Sequence, residues 1–592
     1  VIIDYASENP SSRREARLGI RGMFFKYALN KEGWEDDLPG LDLLGNDRRL
    51  SYSYHQPSTT NSEYFTEFLR VSQNVGGAIE GPSLDVLFQE FRPPTKEDLV
   101  EHAKGFGIPR PDGEKVSQHE LTQVMMSLNN VEEGFPLLSG WLDPDNLAKI
   151  HVPANTSPGI RWRKLGYHTK KDALLPAVLE ARRKLTTMID TGGKYSIPPA
   201  GVAGRGKRVD TREEKNEKKE GRLIIMPDLV RHLMGQLGAR PYMAALHNVN
   251  KENGGVLLGM GPFSEAYQNV ANWAKGAKFY CFLDFKAFDQ SIGAKLLGAA
   301  MGHIRTRYHT EPGSKAYWSS EFEHLVRTEI ALPDGSVYKK KRGVASGDPW
   351  TSLADSYANW IAIKTVCNRL GWDARIWTFG DDSIIAVYEG RQIPMSTLKE
   401  EFFNTWGLTL SDMKSYYSRN LVDIDDNPTP KRSGSFLSMY FLQTPMGVRP
   451  TRPLDDLYEL MLVPEKNKGN IEWELWRTVS AYLIFYYNED ARIILEEYWA
   501  YLHDAFNIPE LRPNYTIFQI LKEHDIPWER FDFAWLARLP YPHEVELLYK
   551  YGHTTFFAPA AYGTIYRDLK SLGFASNRIL DRGSDLPLEI EQ

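Results

Sequence analysis

The sequence predicts an α/β (α+β) fold in which an antiparallel sheet lies over helices and is followed by a helical C-terminal part. Three stretches carry that reading. Residues 278–283, Lys-Phe-Tyr-Cys-Phe-Leu, form an apolar run that ends at Asp284, as a buried strand does. Residues 377–385 set apolar side chains on both sides of Gly380-Asp381, the turn chemistry that closes a two-stranded hairpin. Beyond 471, Trp473, Trp476, Tyr482, Phe485, Tyr486, Tyr487, Tyr498 and Trp499 recur with helical patterning and read as the core of a helical unit.

At 592 residues the chain has room for about four units of ordinary size, or for one multi-lobed enzyme. Its 42% hydrophobic and 25% charged residues are ordinary for a soluble globular protein. No apolar run approaches a membrane span and no secretory signal opens the chain, so no membrane partner is expected. Two cysteines, Cys281 and Cys367, make a disulfide framework or a cysteine zinc site improbable and fit a reducing compartment. With a net charge of −6, any nucleic acid must be held by local basic patches. There is no GxxxxGK[ST] phosphate loop, HExxH helix or internal repeat, which weakens ATPase, helicase and metalloprotease readings.

Residues 1–150 alternate turns with short amphipathic pieces and carry no nameable chemistry. Arg13, Arg14, Arg17 and Arg21 lie in a helix-compatible stretch, a solvated face or an RNA contact. The tone changes at the turn cluster Asn155-Thr156-Ser157-Pro158-Gly159. Arg161, Arg163, Lys164, Lys170 and Lys171 follow, with Trp162, Tyr167 and His168 among them. Cations interleaved with rings suit a strand of nucleic acid, and a solvated loop is the competing reading. A second basic stretch holds Arg205, Lys207, Arg208, Arg212, Lys215, Lys218, Lys219 and Arg222. Acidic residues interrupt it, as they would in a salt-bridged helix. It ends at Gly221-Arg222-Leu223-Ile224-Ile225-Met226, where a rigid strand can project one guanidinium toward a triphosphate.

Asp284 at a strand end can meet a metal, and Asp289 on the following turn can point at another part of the same substrate. The basic knot Lys339-Lys340-Lys341-Arg342 leads to the flexible turn Ser346-Gly347. From Trp350 to Ile363 the spacing is helical, giving a loop that feeds a helix beneath the sheet. Residues 398–406 read as a helix stopped by Gly407, and Lys414 follows. Residues 435–442 read as one strand, with Arg449 and Arg452 past a Pro-Met-Gly turn, and 461–470 read as a linker.

Oxygen-only ligands such as Asp284, Asp381 and Asp382 suit Mg²⁺ or Mn²⁺ rather than zinc. Two converging carboxylate sites can hold a pair of cations for in-line phosphoryl transfer. In order and kind, Asp284-x4-Asp289, Ser346-Gly347-x3-Thr351 and Gly380-Asp381-Asp382 resemble the three palm motifs of viral RNA-dependent RNA polymerases. Lys414 stands where that family has its downstream lysine, and Arg222 where it has a fingers arginine. Residues 435–442 resemble its primer-grip strand, and Thr156-Ser157-Pro158-Gly159 the motif at the mouth of its template channel. Gly380-Asp381-Asp382-Ser383 and Asp355-Ser356 with Asn359 look most like enzymes of small double-stranded RNA viruses, the partitivirus and picobirnavirus kind. The resemblance spans about 155–450.

The resemblance implies a right-hand polymerase. Residues 1–150 would bridge fingers and thumb, with fingers at 151–280, palm at 281–294, a fingers insertion at 295–345, palm again at 346–454, and a helical thumb and tail at 455–592. It implies template-directed RNA synthesis from ribonucleoside triphosphates with Mg²⁺ or Mn²⁺, beside a viral capsid protein, in the virion interior or host cytoplasm. Asp284, Asp381 and Asp382 would hold metal and, with Lys414, catalyse. Arg222, Lys219, Asp289, Ser346, Gly347, Thr351 and Asn359 would bind nucleotide; Thr156, Ser157, Arg161, Lys170, Arg205, Lys207 and Arg449 would bind RNA. There is one departure. Many positive-strand relatives place an asparagine four residues after the motif threonine, where this chain has Asp355 and reaches Asn359 a turn later. Two facing acids are unfavourable unless one is protonated or paired, so Asn359 is the expected partner of Asp289, with Asp355 taking a backbone or basic group. A reverse transcriptase or DNA polymerase is the nearest rival, although Asp289 can accept from a 2′-hydroxyl that such enzymes exclude. A metal-dependent nuclease and a non-enzymatic, capsid-associated RNA-binding protein are the others.

Overall fold

The computed structural model describes residues 28–54, 63–77, 79–212, 222–429, 431–465, 469–506 and 539–552. Arg13, Arg14, Arg17, Arg21, Lys215, Lys218, Lys219 and the acidic tail from Asp585 lie outside these residues.

The central sheet orders Tyr416–Ser418, Phe279–Phe282, Asp382–Glu389, Asp373–Phe379 and Gly255–Val256. Its pairings are antiparallel except at the Gly255–Val256 edge. Register fixes the chemistry: Phe379 lies opposite Asp382, leaving Gly380-Asp381 as a two-residue turn with Gly380 at φ +60°. Phe279, Cys281, Ile376, Ile385 and Val387 enter the main core on one face. Tyr280, Phe282, Trp377, Ile384 and Ala386 enter a second core with Tyr267, Phe436 and Phe441 on the other. Cover on both faces is why these strands read as continuous apolar runs.

Beneath the first face runs the expected helix, Thr351–Leu370, closed by left-handed Gly371. The Trp360 indole ties it to the sheet, donating to the Ile376 carbonyl at 3.0 Å. Helix Met395–Trp406 stops at left-handed Gly407, as the sequence indicates.

A second five-stranded sheet orders Asp42–Asn46, Ser336–Lys339, Glu329–Ala331, Ala200–Arg205 and Arg222–Met226. In it Arg205 stands directly opposite Arg222.

Residues 435–442 are not one strand but a hairpin, Ser435–Phe436 against Met439–Thr444, turned by Leu437 at φ +52° and Ser438 at φ +65°. Sequence reasoning missed the turn because neither residue is Gly, Asn or Asp, which take left-handed backbone at little cost.

Helices Leu454–Leu462, Ile471–Ile484, Glu489–Phe506 and Pro542–Tyr551 build a third core. Of the expected aromatics, Tyr482, Phe485, Tyr486, Tyr498 and Trp499 are inside it and Trp476 and Tyr487 partly so, whereas Trp473 is buried outside this cluster. Tyr64, Phe68, Val71 and Val86 complete that core, and the next strand, Gln89–Arg92, pairs with Lys207–Asp210. One N-terminal stretch therefore touches both the C-terminal helices and the basic strands. No described helix is long and apolar enough to cross a membrane, and both cysteines are free and buried.

Candidate active site

Strand Phe279–Phe282 delivers Asp284 with its side chain exposed. The loop after helix Met395–Trp406 grips its backbone: the Asp284 N–H donates to Ser415 Oγ at 2.9 Å, and its carbonyl accepts from the Ser411 N–H at 2.8 Å. The protein packed around this reachable carboxylate raises the Asp284 pKa, and the charges of Lys414, on that loop, and Lys286 work against it. Asp289 follows a bend at Ala287, φ +47°, a left-handed non-glycine residue of the kind that holds about 1–3 kcal/mol of strain at functional sites.

Asp381 sits at the tip of the hairpin and opens on the cavity described below. The protein wall around it raises its pKa, the charge of Asp289 adds to this, Arg222 opposes it, and Asp284 adds again. Asp284, Asp289, Asp381 and Arg222 therefore converge. Asp382 has a different setting. Its Oδ2 accepts from the Leu437 N–H at 2.7 Å and its Oδ1 from the Ser383 N–H at 2.9 Å. Burial nevertheless pushes its pKa up to about 7. Asp382 thus clamps the left-handed tip of the 435–444 hairpin to the aspartate turn.

The helix below holds that turn by both of its backbone groups. Ser356 Oγ accepts from the Gly380 N–H at 2.8 Å, and Asn359 Nδ2 donates to the Gly380 carbonyl at 3.1 Å. The expected pairing of Asn359 with Asp289 is not made in the structure, where the Asn359 amide instead gives one of its N–H groups to Gly380. Asp355, 6% exposed, lies one turn earlier on the same helix, in the field of Asp289 and Asp381. Burial first, and the Asp289 charge second, hold the Asp355 pKa far above the usual carboxylate range.

A cavity of about 410 Å³ is lined by Arg205, Arg222, Asp289, Ser346, Gly347 and Asp381, with His102 and Phe106 among the rest. Gly347 is required where it stands: at φ +102°, a Cβ there would lie 2.6 Å from the Ile225 carbonyl. The Ser346 carbonyl accepts from the Ile225 N–H at 3.0 Å, and Thr351 Oγ1 donates to the Ala345 carbonyl. Thr351 thus shapes the loop from outside the cavity. His102 and Phe106 belong to the stretch that showed no chemistry. The Thr95 capping box before helix Lys96–Lys104 gives no hint that the end of this segment meets Gln290, whose amide donates to the His102 carbonyl at 2.6 Å.

Several basic residues expected on RNA are elsewhere. Arg161 is 3% exposed, forked onto Glu180 at 2.6 and 2.7 Å and onto Asp228 at 2.8 and 3.0 Å. Trp162 and Tyr167 are buried beside it, which leaves His168 as the exposed ring of this stretch. Arg449 is buried and paired with Glu546 at 2.9 Å. Lys340, from the basic knot, is fully buried and caps carbonyls. Lys170 donates to Thr156 Oγ1 at 2.9 Å, bracing the turn in which Thr156 is exposed and Ser157 half-buried. Lys207 is half-buried in strand Lys207–Asp210, Arg205 is exposed, and Lys219 lies outside the described residues. Breaking a buried ion pair from one side leaves an unpaired charge, so Arg161→Ala should destabilise the protein by about 3–5 kcal/mol. Thermal unfolding would register this, while the RNA affinity of the folded fraction stays unchanged.

Among the described residues, no three His, Cys, Asp or Glu side chains already form a cation cage. Residues 201–492 match the family of viral RNA-dependent RNA polymerases. The chain is similar to the genome polyprotein of zucchini yellow mosaic virus (strain Reunion Island), 30% identical over 143 residues, 22% of this chain and 4% of the polyprotein. The beet mosaic virus polyprotein is 23% identical over 270 residues, 44% and 8% of the two chains. That of plum pox potyvirus (strain SK 68) is 27% identical over 153 residues, 24% and 5%. The chain spans at most 8% of the length of these three relatives, and none of them is named as a double-stranded RNA virus protein. The matched residues, 201–492, include Arg222, Asp284, Asp289, Ser346, Asp381 and Lys414, and the match supports an RNA-directed RNA polymerase.

Proposed function

We propose that the chain copies viral RNA by template-directed synthesis. The 3′-oxygen of the growing strand attacks the α-phosphorus of a ribonucleoside triphosphate, the bond to the β-phosphate breaks, and pyrophosphate leaves. The observation that carries this reading is the cavity that Arg222, Asp289 and Asp381 line together from three separate segments, with Asp284 at the end of the strand that leads to Asp289.

Asp284 and Asp381 would hold Mg²⁺ or Mn²⁺, with Asp382 bracing the turn. The donor set fits: both carboxylates are reachable, and a hard cation would relieve the negative surroundings of Asp381. Mg²⁺ characteristically takes one or two carboxylates and fills its shell with water and substrate phosphates, so no larger cage is needed. Bound as a pair, such cations would acidify the attacking hydroxyl and offset charge on the leaving group. The chain's own residues do the rest. Arg222 and the facing Arg205 clamp the triphosphate, Ser346 and Gly347 wall the pocket, Asp289 accepts from the sugar, and Lys414 protonates the leaving oxygen. Thr156, Ser157 and Lys207 lie along the RNA path.

The architecture reads as a right hand, with the second sheet in the fingers, the central sheet as palm and the C-terminal helices as thumb. Asp355 in place of asparagine and the Gly380–Ser383 motif favour a virus of the small double-stranded RNA kind. The chain would then work in the virion interior or host cytoplasm beside capsid protein.

Incorporation of labelled ribonucleotide on a homopolymer template with Mg²⁺, with and without primer, tests the activity. Failure in every arm overturns it. Loss of RNA without added nucleotides would instead reveal a nuclease, and preference for deoxyribonucleotides a DNA polymerase. Arg222→Lys keeps charge but loses the fork, so the nucleotide KM should rise roughly 10- to 150-fold, the worth of a charged hydrogen bond. Template affinity measured in parallel should hold; equal loss of both would move Arg222 to the template channel.

A further inference from the structure

Resting on the reading of the cavity beside Asp381 as a nucleotide site, we propose that Arg231 and Asp348 brace the nucleotide-facing turn from behind. Arg231 touches no substrate in this arrangement. It holds Asp348, and Asp348 keeps Ser346 and Gly347 where they wall the pocket.

Ser346 and Gly347 are the central residues of a tight turn, closed by the Asp348 N–H, which donates to the Ala345 carbonyl at 3.0 Å. On one side Ser346 and Gly347 line the cavity of about 410 Å³. The flanking residues Ala345 and Asp348 line a second cavity of about 290 Å³, together with Tyr195, Ile225 and Arg231. The turn is thus a partition between two open volumes. A wall without close packing behind it is free to shift unless something ties it.

The tie is a buried fork. Arg231, 1% exposed, projects from helix Leu229–His247. It donates from Nε to Asp348 Oδ1 at 2.9 Å and from Nη2 to Asp348 Oδ2 at 3.1 Å. Asp348 Oδ2 also accepts from the Trp350 N–H at 3.0 Å, so one carboxylate fixes the turn to the start of the helix beneath the central sheet. Behind it, Arg231 Nη1 donates to the Tyr195 hydroxyl at 2.8 Å and to Glu321 Oε2. The Tyr195 hydroxyl donates to the same Glu321 oxygen at 2.7 Å. Tyr195 and Glu321 are both buried, which holds the planar guanidinium in one orientation. Helix and turn also meet closely, since a Cβ on Gly235 would lie 2.6 Å from Pro349 Cγ.

The residue types are hard to replace. An amide at position 348 has one acceptor oxygen where the carboxylate has two, so it would set a donor against a donor. An ammonium at position 231 is a point charge and cannot reach Asp348, Tyr195 and Glu321 at once.

Steady-state incorporation of labelled ribonucleotide by the full chain, paired with hydrogen exchange of the 345–350 amides, tests the brace. Asp348→Asn and Arg231→Lys should each lower kcat/KM roughly 10- to 100-fold, mostly through KM, as a small misplacement of a substrate-facing group does. The amide at position 348 should exchange faster in both. Combined, the two changes should cost little more than either alone, because both open one fork. Glu321→Gln keeps an acceptor for Arg231 and Tyr195, so its KM should stay within about threefold of wild type. A cluster that only stabilised the fold would lower the melting temperature of Asp348→Asn and Arg231→Lys and leave KM of the folded enzyme unchanged; that result overturns the proposal. So does a raised KM with unaltered exchange, since the turn would not have moved. Should Arg231→Lys not fold, Asp348→Asn, the smaller change, decides by the same two readouts. A wild-type chain that makes no RNA refutes the polymerase reading instead, and the exchange rates still show whether the fork holds the turn.

Discussion

Asp381→Asn should abolish RNA synthesis, by on the order of 10³-fold or more, while leaving RNA binding intact. Asp381 is the carboxylate at the tip of the hairpin, and the wall around it, Asp289 and Asp284 all disfavour its charge. An amide of the same shape removes that charge and weakens any hold on a hard cation, but touches none of the exposed basic residues. Incorporation assays and filter binding of labelled RNA measure the two effects separately, and normal synthesis by the variant would end the assignment. The same residue has a thermodynamic signature. Because its pKa is higher folded than unfolded, folded protein binds the proton more tightly. Stability is then lost as pH rises from the ordinary carboxylate range through the raised value. Without divalent cations, Asp381→Asn should therefore unfold at a higher temperature than wild type near neutral pH. Added Mg²⁺ or Mn²⁺ should stabilise the wild type more than the variant.

Lys414→Leu should slow the chemical step by ~10²–10⁴-fold, the usual worth of general-acid help. The loop that carries Lys414 is fixed to the Asp284 backbone through Ser411 and Ser415, which puts its ammonium in the field of that carboxylate. A lysine that only solvated the loop would leave the single-turnover rate unchanged. A proton donor would instead show a lowered rate whose pH profile has lost its alkaline limb.

The strand ending at Asp284, the aspartate hairpin and the helix beneath them were legible because each is written locally, in contiguous apolar runs bounded by turn residues. Gly407 marked its helix end for the same reason. Arg161 and Arg449 were misread because their acidic partners Glu180, Asp228 and Glu546 are remote in sequence, and a basic residue does not announce which way it faces. Asp355 and Asn359 share one helix face, so spacing alone could not say which of them holds the Gly380 carbonyl; in the structure it is Asn359. His102 and Phe106 reach the cavity only through tertiary packing, which no local pattern records.

The core that joins Tyr64, Phe68, Val71 and Val86 to the C-terminal helices has a consequence for biogenesis. The Tyr498 hydroxyl meets the Tyr64 carbonyl across 434 residues of chain. At ~5–20 residues per second a ribosome needs roughly 20–90 s to make that length. For most of that time helix Glu63–Asn74 lacks the C-terminal helices that its apolar face packs on, which makes it a natural client of a chaperone. The main core and both five-stranded sheets are complete in sequence well before the last helices emerge, so the aspartate site can assemble first and the clasp between the chain's two ends last.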